Sequence, residues 1–230
     1  MNRVDREFAN CIKGEHPIYL RHQPSGLYVR DREDIFIILE QQSWKPLLKM
    51  PAPGGLLLDL GGFIGDSAWW FLNHQVVSEV ISFEPLASNI HVFNQNWYDD
   101  VRVRLIPAAV ISDQTGSITM HLSKRISCSS VEHFRGRSTI KVSTFEWSDA
   151  LAFKPSVIKC DVEGSEYTYD WSLLPESVRI VAMELHQFRP AWLIESRRID
   201  KQLLFLGFKH IKAPRHTITF HKNEIAIWAR

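Results

Sequence analysis

The chain has 230 residues, 45% of them apolar, with 27 basic against 26 acidic side chains and a formal net charge of +1. That length and apolar content suffice for one domain with a sizeable core, and the near-neutral balance excludes a global electrostatic case for a nucleic-acid partner. No stretch approaches the ~20 apolar residues of a membrane span, the start lacks a signal-peptide core, and three cysteines without metal-like spacing fit a reducing compartment, so a cytoplasmic protein is expected.

Residues 1–53 read as an N-terminal cap segment ahead of a main domain over 54–230. A short strand is predicted at Gly26–Arg30, then an amphipathic helix from Asp34, its N-cap, to Lys49; Pro51, Pro53 and Gly54-Gly55 close the segment. From Leu56 onward apolar runs alternate with helical patterns. Strands are predicted at Leu56–Leu60, Val80–Phe83 and Val101–Val110, and helices at Asp66–Asn73 and Ala87–Trp97. This alternation argues for an α/β fold of right-handed βαβ units on a mostly parallel sheet.

Two further strands, Gly116–Leu122 and Thr139–Phe145, flank a polar loop, Ser123–Ser138, whose Lys124, Arg125, Arg135 and Arg137 suit either a ligand or plain solvation. Strands resume at Ser156–Cys160 and Arg179–Leu185. A helix over Ile199–Leu206 stops at Gly207, and Lys209–Lys212, Thr217–His221 and Glu224–Ala229 close the chain as strands. Arg197–Arg230 holds eight Lys or Arg against Asp200 and Glu224; a solvated sheet edge is the plainer reading of that run.

The stretch Leu56–Ser67 reads as buried strand, glycine-rich turn and helix start. Gly61, Gly62 and Gly65 let the backbone take positive φ and approach a ligand closely, and the helix beginning near Asp66 presents free N–H groups to that turn. Glu84 ends the next strand, about 25 residues beyond Asp59, where a nucleotide-binding fold places an acid for two ribose hydroxyls. A dinucleotide fingerprint, G-x-G-x-x-G, would need glycine where Phe63 and Asp66 stand. The order is instead D-x-G-x-x-x-G, and an acid before the first glycine repels a diphosphate but pairs with the ammonium of an amino-acid moiety, which points to S-adenosylmethionine. Asp59 with Gly61, Glu84, Asp161 with Glu163, and Glu184 with His186 each follow a separate apolar run, so a parallel sheet would deliver them all to one edge.

With those motifs in hand, the chain resembles the FkbM-type S-adenosylmethionine-dependent methyltransferases, class I enzymes associated mainly with O-methylation. The resemblance rests on Asp59-Leu60-Gly61-Gly62-Phe63-Ile64-Gly65-Asp66-Ser67, on Phe83-Glu84-Pro85 with Asn89 and Asn96, on Ile158-Lys159-Cys160-Asp161-Val162-Glu163-Gly164-Ser165-Glu166, and on Glu184-Leu185-His186. It implies a Rossmann-like, seven-stranded sheet in the order 3-2-1-4-5-7-6, the last strand antiparallel, with helices on both faces. It implies that Asp59, Gly61 and Gly65 line the cofactor's methionine side, Glu84 its ribose, and Ala108 or Ala109 its adenine, with Gly62 and Asp161 as further cofactor-binding residues. Asn89 is expected to order the turn after Glu84. Gly62-Phe63 stands where the family often has Ala-Asn, and Ala87 where a second proline is common.

Methyl transfer to oxygen needs an aligned acceptor and a proton acceptor. His186, by its unperturbed pKa, is the expected general base, with Asp161 and Glu163 as alternatives; Lys159 is expected in a structural salt bridge. The same acids and His186 also suit a divalent metal, which is the weaker reading, so no metal ligand is assigned. The expected acceptor is a hydroxyl of a sugar, glycan or secondary metabolite. Methylation of RNA is the alternative within enzymes, set back by the missing Asn/Asp-Pro-Pro-Tyr-type motif, and a non-catalytic binding domain is the alternative outside them.

Overall fold

The computed structural model describes residues 2–9, 11–13, 19–112, 116–123, 129–131, 138–187, 191–214 and 223–230. The expected strand Thr217–His221 and the basic centre of the Ser123–Ser138 loop lie outside them. Among the described residues no helix is long and apolar enough to cross a membrane.

The N-terminal segment holds helix α1 (Arg3–Ala9), a small antiparallel sheet of β1 (Ile12–Lys13), β2 (Leu20–Arg21) and β3 (Tyr28–Val29), and helix α2 (Arg32–Glu40) running into a 3-10 helix at Gln41–Lys49. Two expectations change here. Asp31, not Asp34, caps α2, accepting from the Glu33 and Asp34 amides, while Asp34 turns back to the Arg30 guanidinium at 2.7 Å. The α-helix also ends at Glu40 rather than Lys49, because Pro46 has no N–H to donate and its ring crowds the carbonyl four residues back.

The main sheet is built from β4 (Leu56–Leu60), then α3 (Asp66–Asn73), β5 (Glu79–Phe83), α4 (Ala87–Trp97) and β6 (Val103–Ile106). Pro107 interrupts the single strand expected over Val101–Val110. The chain turns there and restarts as β7 (Ala109–Ile111), which leaves the main sheet and pairs with β9 (Ser138–Glu146) beside β8 (Ser117–Leu122). After a short helix α5 (Trp147–Leu151), β10 (Val157–Cys160) and β11 (Ile180–Leu185) return to the main sheet. Helix α6 (Trp192–Phe205) starts earlier than expected, and β12 (Lys209–Lys212) and β13 (Glu224–Ala229) close the chain.

The strand order is β12-β13-β11-β10-β4-β5-β6, with β13 alone antiparallel to its neighbours. This matches the seven-stranded order expected from the resemblance. β4 and β10 are central and covered on both faces, which is why they read as nearly unbroken apolar runs. Side chains alternate. Leu58, Leu60, Ile158 and Cys160 face the aromatic layer of Trp147, Tyr169 and Trp171, with α6 beyond it. Leu57 and Val157 face α3 and Trp44. A third cluster joins Val29, Ile35 and Ile38 to Phe63 and Ile64 of the glycine turn and Val92 of α4, so the N-terminal segment packs directly on the turn.

Gly65 closes that turn as the N-cap of α3 with φ 87°. A Cβ there would stand 2.1 Å from Trp97 Nε1, whose indole donates to the Gly65 carbonyl. Left-handed backbone and overpacking add, so Gly65→Ala should destabilise the fold by about 2–4 kcal/mol. Urea unfolding of the purified variant checks this, and a loss under about 1 kcal/mol would show that Trp97 moves aside freely.

Candidate active site

A cavity of about 1130 Å³ opens over the carboxyl ends of β4, β5, β10 and β11, the edge at which open α/β sheets bind ligands. Gly61, Glu84, Asp161 and Glu184 reach its wall from those four strand ends. Ala108 and Ala109 line it after β6, as expected, and Met120 and Val131 complete an apolar side. The cavity is also lined by residues of α1 and α2. Its volume exceeds the range of ~300–1000 Å³ typical of a single small-ligand pocket.

Beneath the cavity lies a row of polar groups inside the sheet. Asp59 of β4 stands in register with Ser82 of β5 on one side and Lys159 of β10 on the other. Its Oδ2 accepts from the Ser67 and Ser82 hydroxyls, both at 2.7 Å, and its Oδ1 is 3.3 Å from Lys159 Nζ. Asp59 is therefore fully buried and held from behind the turn, its Oδ1 facing only the Lys159 ammonium, and it does not form the cavity wall as the cofactor-side assignment required. Lys159 Nζ also donates to the Gly61 carbonyl at 2.6 Å and lies 3.9 Å from Asp161. Burial alone would lower its pKa, but Asp59, Asp161 and Asp66 together raise it, so the ammonium stays charged.

The three glycines divide in role. Gly61 lines the cavity with φ 86°, and a Cβ on it would stand 2.0 Å from the Asp161 carbonyl, so only glycine lets β4 and β10 meet there. Gly62 packs on Ser82 and Phe93, and Gly65 on Trp97; both shape the turn from behind and neither lines the cavity. The sequence pattern cannot separate these uses, since close approach to a ligand and close approach to a side chain both require the missing Cβ.

Glu84 lies where expected, on the cavity wall. It accepts from the Phe63 amide at 3.0 Å, the Leu86 amide at 2.8 Å and Asn89 Nδ2 at 3.2 Å, three of the roughly four acceptor sites of a carboxylate. Burial pushes it up to about 7, with those hydrogen bonds opposing. Asn89 orders the turn, as expected, and its Oδ1 accepts from Arg30 at 2.8 Å. A continuous relay thus runs from Glu84 through Asn89 and Arg30 to Asp34 of α2.

At the other end of the cavity Asp161, Glu163 and Glu184 line the wall. His186 does not. Its side chain is fully buried behind them, with Nδ1 at 3.0 Å from Glu166 and Nε2 at 3.6 Å from Asp161, 3.5 Å from Glu163 and 4.0 Å from Glu184. Burial by itself would lower the ring's pKa, yet Glu163 and Glu166 raise it well above the ordinary value. The buried ring does not reach the cavity, where its expected role as the general base would place it. Its Nε2 and one oxygen each of Asp161 and Glu163 lie within 4.8 Å of one another, a spacing that would suit a divalent cation.

Burial, then the neighbouring Asp161, pushes Glu184 up to about 8. Glu163 adopts φ 54°, a left-handed backbone rare for a non-glycine, and Ser130 Oγ donates to its carbonyl. Sequence reasoning missed Glu166 as an organiser, although it ends the quoted motif. Its oxygens accept from the Gly164 amide and the His186 amide, both at 2.8 Å. It also missed that Ser129 and Val131 bring the long loop back to the cavity; the only signal was the loop's length. Part of the basic C-terminal run is structural: Arg198 donates to the Tyr167 carbonyl and Arg230 to those of Pro175, Val178 and Leu206.

No protein-family model matches the chain, and no curated protein sequence matches it. Solved structures do. The crystal structure of a methyltransferase FkbM from Methylobacillus flagellatus superposes with a TM-score of 0.51 at 14% identity, covering 79% of this chain and 44% of that one, so the chain spans less than half of its length. Trm5b from Pyrococcus abyssi gives 0.49 at 10% identity over 95% and 57% of the two chains. A putative tRNA (m1A22) methyltransferase from Streptococcus pneumoniae, in complex with S-adenosyl-L-methionine, gives 0.44 at 10% over 82% and 72%. At these identities the likeness concerns architecture: the chain has the Rossmann-like class I methyltransferase fold.

The buried acids make the fold sensitive to pH. Burial pushes Asp66 up to about 7, Lys159 opposing and Asp59 adding to the effect, and Gln41 Nε2 donates to its Oδ2 at 2.6 Å. Below about pH 4 the group is protonated in folded and unfolded chains alike; as pH rises towards 7 only the unfolded chain ionises it freely, so stability falls. The full shift corresponds to about 4 kcal/mol. Asp66→Asn should flatten the loss of unfolding free energy between pH 4 and 7 by up to that amount in urea titrations, and an unchanged slope would contradict the raised pKa.

Proposed function

We propose that this chain is an S-adenosylmethionine-dependent O-methyltransferase of the FkbM type, acting on a hydroxyl of a sugar, glycan or secondary metabolite. The observation that carries the reading is the pairing, in one cavity at the carboxyl edge of a class I methyltransferase sheet, of a wall carboxylate suited to ribose, Glu84, with a separate acidic end, Asp161, Glu163 and Glu184. The solved neighbour called FkbM supports it, and the residues present fit the cofactor. Glu84 keeps acceptor capacity for a hydroxyl, Leu86, Ala108 and Met120 offer an apolar slot for a base, and the acidic end suits a cationic sulfonium and ammonium.

When bound, S-adenosylmethionine supplies an electrophilic methyl carbon whose bond to sulfur breaks, the electron pair staying on sulfur, as the acceptor oxygen bonds to it. The protein aligns and deprotonates. Gly61 brings the loop against Asp161, and Lys159 holds the Gly61 carbonyl, so the floor of the site is rigid. Glu184 takes the hydroxyl proton: burial, then the neighbouring Asp161, pushes it up to about 8. His186, fixed by Glu166, is a positioning residue that holds Asp161 and Glu163 by charge. Residues 1–53 act as the acceptor-side wall of the site.

Three outcomes are expected. S-adenosylmethionine at 100 times its Kd should add about 2.7 kcal/mol, raising the melting temperature by roughly 5–10 °C; a shift with a nicotinamide cofactor in its place would refute the cofactor. Glu84→Gln should weaken its binding at least about tenfold, or 1.4 kcal/mol, read by calorimetry. Turnover should climb with pH towards about 8, and Glu184→Gln should both remove that limb and lower turnover by about 10²-fold or more; a variant that keeps the wild-type pH profile would clear Glu184 of the role.

A further inference from the structure

The basic run at Arg197–Arg230 is only partly used inside the molecule. Arg198 and Arg230 donate to backbone carbonyls, but other members of the run face outward from α6 and β12. Ile194, Arg197, Lys201, Leu204 and Phe205 are exposed, while Trp192, Ile199 and Leu203 of the same helix are buried in the core. Helical periodicity gathers the five exposed positions into about a third of the helix circumference. Phe205 is 91% exposed and Ile194 75%, so a bare apolar side chain stands at each end of the stripe, about three turns apart, with Arg197 and Lys201 between them.

β12 extends this face. Its His210 Nε2 lies 2.6 Å from Asp200 Oδ1 of α6, and Lys209 and Ile211 are exposed on either side of it at the edge of the main sheet. The nearby acids are held elsewhere. Asp200 also accepts from Trp228 Nε1 at 2.8 Å, Asp170, on the turn packed against α6, accepts from Ser172 and Gln202, and Glu195 lies on the flank of the helix, off the stripe. Residues 188–190, which precede α6, and 215–222, which follow β12, carry Arg189, Arg215 and Lys222 and no acid.

We infer that this face of α6 and β12 docks on an anionic lipid surface, with Ile194, Leu204 and Phe205 entering between the headgroups and Arg197, Lys201 and Lys209 pairing with the lipid phosphates. The contact lies in the plane of the interface, since α6, at 14 residues, is too short to span a bilayer. Charge complementarity selects this occupant. Apolar side chains flanked by cations suit an interface at which buried apolar area and attraction to anionic headgroups add. A second copy related by a two-fold axis would bring Arg197 and Lys201 against their own equivalents, which like charges oppose. RNA would satisfy the cations, but its bases stack on aromatic faces, and Phe205 is the one aromatic ring of the stripe. The inference is independent of the methyltransferase reading, because none of these side chains lines the cavity.

The test is flotation of the full chain with lipid vesicles. With phosphatidylcholine containing about one-third phosphatidylglycerol, the chain should float at least about tenfold more than with phosphatidylcholine alone, and raised salt should release it. Two double variants, Ile194→Ser with Phe205→Ser and Arg197→Glu with Lys201→Glu, should each reduce that flotation about tenfold or more. Both change exposed positions, so circular dichroism and melting temperature should match the wild type. A chain that floats with neither vesicle or equally with both, or flotation that either double variant retains, overturns the inference. In the absence of flotation, a dimer in sedimentation velocity that the serine variant abolishes would assign the face to a second copy, and an RNA gel shift lost in the glutamate variant would assign it to nucleic acid.

Discussion

A single buried ammonium holds the site together. Lys159 lies in register with Asp59 across the central strand pair, and its Nζ spans Asp59, the Gly61 carbonyl and Asp161. A lysine so deep in a sheet is costly unless its charge is compensated, and here two strands and the glycine turn supply the compensation. The consequence is geometric: the turn that would carry the methyl donor and the acid that would face the acceptor are both fixed to one cation. Ser67 and Ser82 complete the arrangement by satisfying the other oxygen of Asp59. Removing Lys159 would leave Asp59 buried without a counter-charge, and removing Asp59 would leave the ammonium only the more distant Asp161.

The second tie runs outward from the same turn. Arg30 bonds Asn89 and stacks 5.1 Å from the Phe63 ring, Asn96 bridges the Tyr28 and Ile64 carbonyls, and Gln41 bonds Asp66. Each contact joins the N-terminal segment to the glycine turn or to the helix on either side of it. The ribose-side acid Glu84 shares this network through Asn89, so the wall assigned to the acceptor and the wall assigned to the cofactor form one hydrogen-bonded framework.

Electrostatics at the acidic end follow from burial. Three carboxylates crowd the cavity wall there, and the buried His186 ring behind them is held by a fourth, Glu166. Burial, then the neighbouring Asp161, raises Glu184 to about 8, with His186 opposing.

Much of this was legible in the residues. The alternation of apolar runs with helical patterns determined the α/β class, several element boundaries and the strands that carry acids to one edge, because burial on both faces and on one face leave different periodicities. Asp31 in place of Asp34 as a cap, the break at Pro107 and the early start of α6 were less legible, since several local solutions compete at element ends. Function was legible as a set of polar residues after strands. Their division was not: Asp59, Gly62, Gly65 and His186 prove to support the site from behind, whereas Gly61, Glu84, Asp161, Glu163 and Glu184 face the cavity. A residue's type and spacing determine that it reaches the carboxyl edge. Whether it meets a ligand or a neighbour there depends on contacts between strands and helices far apart in the chain, and only the tertiary structure decides that.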